Sequence, residues 1–213
     1  AYDLFEGNKF EGHTILPVIE SFRSKYHLGK LIVIADAGLL STANIEELQT
    51  RNYEFILGAR IKNESNSIRQ KILQLNLKDG ACVALMKGSI RLIVTFSSHR
   101  ARKDKHNREK GLRKLEKQLR TGRLTKASIN NRGYNKYLKL EGEMKVSIDM
   151  NKNEKDAQWD GLKGYLTNAK LPKDQIVENY LHLWQIENAF RITKSDLRIR
   201  PIFHRIPRRI EAH

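Results

Sequence analysis

Apolar and polar positions along this chain follow two periods, one near four residues and one near two. Toward the carboxyl end Ile176, Tyr180, Leu183, Glu187, Phe190, Lys194 and Leu197 succeed one another at spacings of four and three. That spacing places them on one face of a helix. The pattern predicts a single helix from Gln175 to Ile206 with this face packed inward. Glu187 stands on it, where a carboxylate is costly unless a cation meets it. On these residues alone two readings stay open. Glu187 pairs with Arg191 one turn on, a contact worth about 0.2–0.5 kcal/mol, or it is a metal ligand or catalytic acid.

Upstream, Ala1 to Phe5 reads as the end of a strand and Glu6 to Asn8 as a turn. Ile15, Val18, Ile19 and Phe22 predict an amphipathic helix over Thr14 to Tyr26, with Thr14 as its cap and Pro17 in its first turn. The continuous apolar run Leu31 to Ala35 fits a parallel strand buried on both faces. Asp36 follows at its carboxyl end, where open α/β sheets place ligands. Gly38 permits a tight exit, and Ser41 or Thr42 caps a helix through Leu48. Tyr53 to Ile61 is a further strand and Ser67 to Leu75 a further helix. Alternating strands and helices define an α/β layered domain.

The texture changes between Lys78 and Asn168. Ala81 to Met86, Ile90 to Phe96, Tyr137 to Leu140, Lys145 to Asp149 and Gly161 to Thr167 read as short strands, several divided by glycine turns. A helix is expected around Arg108 to Leu119, with Leu112, Leu115 and Leu119 as a narrow apolar seam. The region reads as a β-rich insertion, after which the last helix returns the chain to the α/β layer. The predicted organisation is a partial core over residues 1–77, a basic insertion over 78–168, and a completing helix over 169–213.

Charge changes this picture. The 213 residues carry 40 Lys and Arg against 24 Asp and Glu, a net charge of +16. His99 to Lys126 holds twelve basic and three acidic residues, and Arg191 to Arg209 seven and one. These two stretches account for nearly all of the excess, so a polyanion, most commonly nucleic acid, is the indicated partner. Cys82 is the only cysteine, which excludes internal disulfides and cysteine-rich zinc sites. No apolar run approaches the roughly 20 residues of a membrane span, and no signal peptide is visible. A soluble, cytoplasmic protein is expected.

An Asp at a strand's end and a Glu on a helix returning to the sheet suit hard divalent cations, which take oxygen ligands from carboxylates, phosphates and water. Two such ions about 3.5–4 Å apart serve phosphodiester chemistry. No competing constellation is as good. The histidines are scattered, with His99 and His106 too far apart for an i,i+4 pair, and neither a Walker-type glycine loop nor a nucleophile elbow is present.

At this point the residues resemble a family, the DDE transposases of bacterial insertion sequences, in the branch with a Tyr–Arg–Glu–Lys signature. That signature runs Tyr, two residues, Arg, three residues, Glu, six residues, Lys. Tyr180, Leu183, Glu187 and Lys194 stand at those positions, so three of the four match. Trp184 to Glu187, Phe190 to Lys194 and Arg200 to His204 resemble the flanking residues. Phe5 to Asn8 and Val33 to Gly38 resemble the segment around the family's second acid, and Asp160-Gly161 with Thr167-Asn168 the approach to its last helix.

The resemblance implies a ribonuclease-H-like fold with a β-rich insertion, and Mg²⁺- or Mn²⁺-dependent cutting and joining of DNA at transposon ends and target. It makes Asp36 the second acid and Glu187 the third, both metal ligands. Tyr180 and Lys194 would hold end phosphates, with Arg191, Arg198 and Arg200 also on the DNA side. A homodimer in the synaptic complex and a bacterial, nucleoid-associated location are implied as well. Two departures stand out. Leu183 replaces the signature arginine, and leucine cannot grip a phosphate bidentately. Only 32 positions separate Asp3 from Asp36, and one helix lies among them, so Asp3 is read as an end-of-strand residue. The expectation is an N-terminally truncated transposase that lacks its first catalytic acid and is inactive alone. The rivals are a non-catalytic basic nucleic-acid-binding protein and a ribonuclease-H-like nuclease.

Overall fold

A computed structural model describes residues 15–38, 41–142 and 145–196, together with residues 206, 208 and 209. The expected strand and turn over residues 1–8, the Thr14 cap, Asp3, Arg198 and Arg200 lie outside the described residues. The chain divides into two compact units, one of residues 1–58 and 166–213, the other of residues 59–165.

In the first unit, helix α1 (Ile15–Tyr26) precedes strand β1 (Ile32–Ala35), helix α2 (Thr42–Thr50) and strand β2 (Glu54–Ala59, the last residue in the second unit). β1 and β2 pair in parallel, with Val33 opposite Phe55 and Ala35 opposite Leu57. The parallel pairing meets the expectation for the apolar run. Val33 and Ala35 are buried while Ile32 and Ile34 are half-buried. Phe55, Ile56, Leu57 and Leu48 are fully enclosed. Ser41, one of the two cap candidates, caps α2, its hydroxyl accepting from Asn44 N–H at 3.3 Å.

The unit is completed by the end of strand β7 (Leu162–Thr167), helix α6 (Lys173–Leu181) and helix α7 (Leu183–Ser195). The single helix expected from Gln175 is therefore two, parted by a turn at His182. The four-and-three spacing runs unbroken through that turn, because His182 keeps helical angles, φ −61° and ψ −18°.

The second unit contains helix α3 (Asn66–Leu73), strands β3 (Cys82–Lys87) and β4 (Ile90–Phe96), helix α4 (Ser98–Arg120), strands β5 (Leu138–Glu141) and β6 (Lys145–Ile148), helix α5 (Met150–Ala157) and most of β7. β3 and β4 form an antiparallel hairpin, as do β5 and β6. Strands β7, β4 and β3 lie in that order. The protein is thus mixed α/β, with parallel pairing in one unit and antiparallel pairing in the other.

Two helices depart from the sequence reading. α4 begins ten residues before Arg108, at Ser98, because Ser97 caps it and Asp79 accepts from both the N–H and the hydroxyl of Ser98 at 2.7 and 2.8 Å. The Ser98 bonds lower the Asp79 pKa, and a carboxylate at a helix amino end is favoured by the helix dipole. α5 was not expected at all. It is capped by Asp149, which accepts from Lys152 N–H at 3.1 Å, and it buries no residue. A helix without an apolar stripe leaves no periodic signal. The leucine seam of α4 does pack: Leu115 with Leu112 beside it meets Tyr137, Leu138, Val146 and Ile148.

Candidate active site

Asp36 immediately follows β1 and is exposed. Its Oδ1 accepts the Gly38 N–H at 2.7 Å. A Cβ at residue 38 would lie 3.1 Å from that oxygen, so glycine leaves the carboxylate room in this turn.

α6 supplies the opposite wall. It packs on β1 and buries Ile176 and Tyr180. Residue 58, in β2, is a glycine, and a Cβ built there would lie 2.6 Å from the Tyr180 hydroxyl oxygen and 3.0 Å from the backbone nitrogen of Ala37. The ring of Tyr180 therefore reaches over the end of β2 to the residue after Asp36, through space that only glycine leaves open. Of the predicted site residues, Tyr180 has its hydroxyl next to Gly58, on the side where Ala37, the residue after Asp36, also approaches that glycine. Gly58 was missed in the sequence reading. Its signal was present, since an isolated glycine inside a strand marks a close approach.

The segment before α6 is fastened to the same strand. Thr167 is fully buried, and its hydroxyl donates to Phe55 O at 2.6 Å. Asn168 accepts from Phe55 N–H at 2.8 Å and donates to Tyr53 O at 2.9 Å. Thr167 Oγ1 also accepts from Ala169 N–H at 3.1 Å. The Thr-Asn pair thereby sets where the last helices leave the sheet, so its role is positional.

Beyond Tyr180 the inward face is not inward. Trp184 and Phe190 are each 60 % exposed, and Glu187 is exposed on α7. Of the two readings left open for Glu187, the pair with Arg191 is absent: Arg191 donates to Asn188 Oδ1 at 2.7 Å, and no ion pair joins it to Glu187. Leu183 is half-buried at the start of α7, and Lys194 lies in its last turn. Among the described residues no group of three or more His, Cys, Asp or Glu is placed to hold a metal ion.

In the second unit one group of charges is matched. Asp156 accepts from Tyr137 OH at 2.8 Å, from Lys62 at 3.1 Å and from Lys136. Burial would raise its pKa, but the bonds from Lys136, Tyr137 and Lys62 outweigh burial and hold it at about 2. Burial and the bond to Asp156 push the Tyr137 hydroxyl the other way, upward. Arg108 pairs with Asp160, whose hydrogen bond raises the arginine's pKa. Asp104 accepts from Gly161 N–H at 3.2 Å and meets Arg100 at 3.5 Å. These groups line a cavity of about 260 Å³. The Asp160-Gly161 motif is thus part of the frame around α4.

An α/β protein with an acid at the end of a parallel strand, a tyrosine laid over it and a strongly basic helix is what the fold and the site define. The family model for the Transposase DDE domain matches residues 1–213, and the chain belongs to that family. No curated protein and no solved structure matches it. Membership supports a role in transposition with DNA as substrate, and DDE transposases generally use divalent metals. No helix among the described residues is long and apolar enough to cross a membrane.

Proposed function

We propose that this chain is part of a bacterial insertion-sequence transposase of the Tyr–Arg–Glu–Lys branch, with a ribonuclease-H-like core in residues 1–77 and 169–213 and an insertion over 78–168. The observation that carries the reading is the placement of Tyr180. The hydroxyl of this residue, the first of the signature, is next to Gly58, and a Cβ at residue 58 would also meet the backbone of Ala37, which supports a site that includes Asp36. Asp36 and Glu187 are the metal ligands in this reading. Tyr180, Arg191, Lys194, Arg198 and Arg200 face transposon-end and target DNA, and two copies act together at the synapse, on nucleoid DNA.

The donors suit Mg²⁺ or Mn²⁺, since both are carboxylates and both are exposed. Mg²⁺ is commonly bound by one or two carboxylates plus substrate phosphates and water, so two acids and a DNA end suffice as ligands without a third protein donor. When bound, the metal supplies activation of an attacking oxygen and stabilisation of a leaving one. The protein's own contribution is orientation. Tyr180 is fixed by burial, Gly38 holds the Asp36 carboxylate in one rotamer, and Thr167 with Asn168 sets the exit of the last helices.

α1 occupies twelve of the 32 positions between Asp3 and Asp36, which supports the reading that the family's first acid is not supplied by Asp3. The isolated chain then binds DNA and does not nick it. Iron-directed cleavage tests the site. Fe²⁺ bound in place of Mg²⁺ generates radicals that cut the polypeptide nearby, so fragments ending near residues 36 and 187 are expected, and both are lost in Asp36→Asn. Cuts elsewhere only, or cuts unchanged in the variant, contradict the assignment. Mg²⁺-dependent nicking of plasmid by the purified chain contradicts the inactivity.

A further inference from the structure

The structure separates the cations of the first basic stretch into two sets. Those facing inward on α4 are neutralised. Arg108 meets Asp160, and Arg100 meets Asp104. The inward stripe Asp104, Arg108, Gly111 and Leu115 repeats at spacings of four, three and four, and Tyr134 packs so closely on Gly111 that its ring would collide with any Cβ there. That stripe holds the helix to its unit. Away from that stripe on the same helix Lys103, Lys110, Lys114 and Lys117 repeat at spacings of seven, four and three, flanked by Arg113 and Arg120. All six are exposed, and none has an ion pair among the described residues.

At about 100° per residue the lysine row lies roughly 120° around the cylinder from the inward stripe, and Arg113 and Arg120 lie on the side nearly opposite it. Glu109 and Glu116 fall together along one edge, so they do not interrupt the row. Six unpaired cations on one rigid helix repel one another, an arrangement that costs stability and is relieved by a polyanion. From Lys103 to Arg120 the row extends about 26 Å at 1.5 Å per residue, roughly three quarters of one turn of B-form DNA.

We infer that the outer row of α4 is a docking surface for the phosphate backbone of duplex DNA, with Lys103, Lys110, Lys114 and Lys117 as its contacts. The inference rests on the reading that the chain acts on DNA. It assigns the contact to a face distant in sequence from the Tyr180–Lys194 residues. Lysine side chains on a helix exterior reach phosphates as point charges and read no base. The surface therefore holds DNA of any sequence, and its grip weakens steeply with salt.

The test is fluorescence anisotropy of a labelled duplex of arbitrary sequence with the full chain over a series of NaCl concentrations. The wild type is compared with K103Q/K110Q/K114Q/K117Q and with a control of equal charge loss, K30Q/K71Q/K78Q/K152Q, drawn from exposed lysines outside α4. Circular dichroism checks that each is folded, and K103R/K110R/K114R/K117R supplies a charge-preserving partner. Each lost phosphate contact removes about 0.9 from the slope of log affinity against log salt. The row variant is expected to lose about 3–4 in slope, while the control and the arginine variant keep the wild-type slope within about 1. Equal losses in row variant and control, or a wild-type slope in the row variant, overturn the docking surface alone. No DNA binding by the wild type at low salt overturns it together with the transposase reading.

Discussion

The hydroxyl of Tyr180 fills the space that a side chain at residue 58 would need: a Cβ there would lie 2.6 Å from its oxygen. One residue has no side chain so that the other can reach the end of the sheet beside Asp36. Gly58→Ala is expected to destabilise the protein by about 1–3 kcal/mol, the usual cost of overpacking. Because the colliding atom is the hydroxyl, Tyr180→Phe added to Gly58→Ala restores part of the loss. Urea denaturation of the two single variants and the double variant measures this as a coupling. Simple additivity would mean that the two residues do not meet.

Asn168 gives a second structural prediction. Its amide satisfies both Phe55 N–H and Tyr53 O. Asn168→Ala leaves one backbone group of β2 and one of the residue just before it without these partners, at about 1–3 kcal/mol for each one left buried. A melting temperature within a degree of wild type would show that water replaces the amide.

Asp156 gives a prediction in pH. Its folded pKa, about 2, lies below the ordinary value of about 3.9 for an aspartate. A carboxyl depressed on folding contributes stability that is fully present above the unfolded pKa and lost as pH falls through the folded one. Nearly two pH units at ~1.36 kcal/mol each make this contribution about 2.5 kcal/mol at neutral pH. Asp156→Asn should lower stability by about that amount at pH 7, and the gap from wild type should close between about pH 4 and pH 2. Chemical denaturation at pH 7 and pH 2.5 checks both ends. A gap that does not change with pH would assign the loss to packing.

Much of this was legible in the sequence, and the reasons for the rest are physical. The apolar run from Leu31 to Ala35 gave β1 and its parallel pairing, because a run buried on both faces has few other homes. Asp36 followed from its position. The extent of α4 was not legible, since its first ten residues hold only one apolar side chain, Ala101, and its start depends on bonds to Asp79, nineteen positions away. α5 had no stripe to read. On α7 the period gave the face correctly but not its surroundings. Spacing shows which residues share a side but not what that side meets, and Trp184, Glu187 and Phe190 are exposed. Gly58 was readable as a close approach without any indication of what approaches.

The measurement that bears most directly on the central claim is Mn²⁺ binding, followed by isothermal titration calorimetry with a short duplex present, for wild type, Asp36→Asn and Glu187→Gln. If the two carboxylates are the metal ligands, each variant binds Mn²⁺ at least about tenfold more weakly, a loss of ~1.4 kcal/mol, while keeping the wild-type melting temperature, because both side chains are exposed. Unchanged Mn²⁺ affinity in both variants would contradict the account and leave a basic DNA-binding protein whose two acids are surface residues.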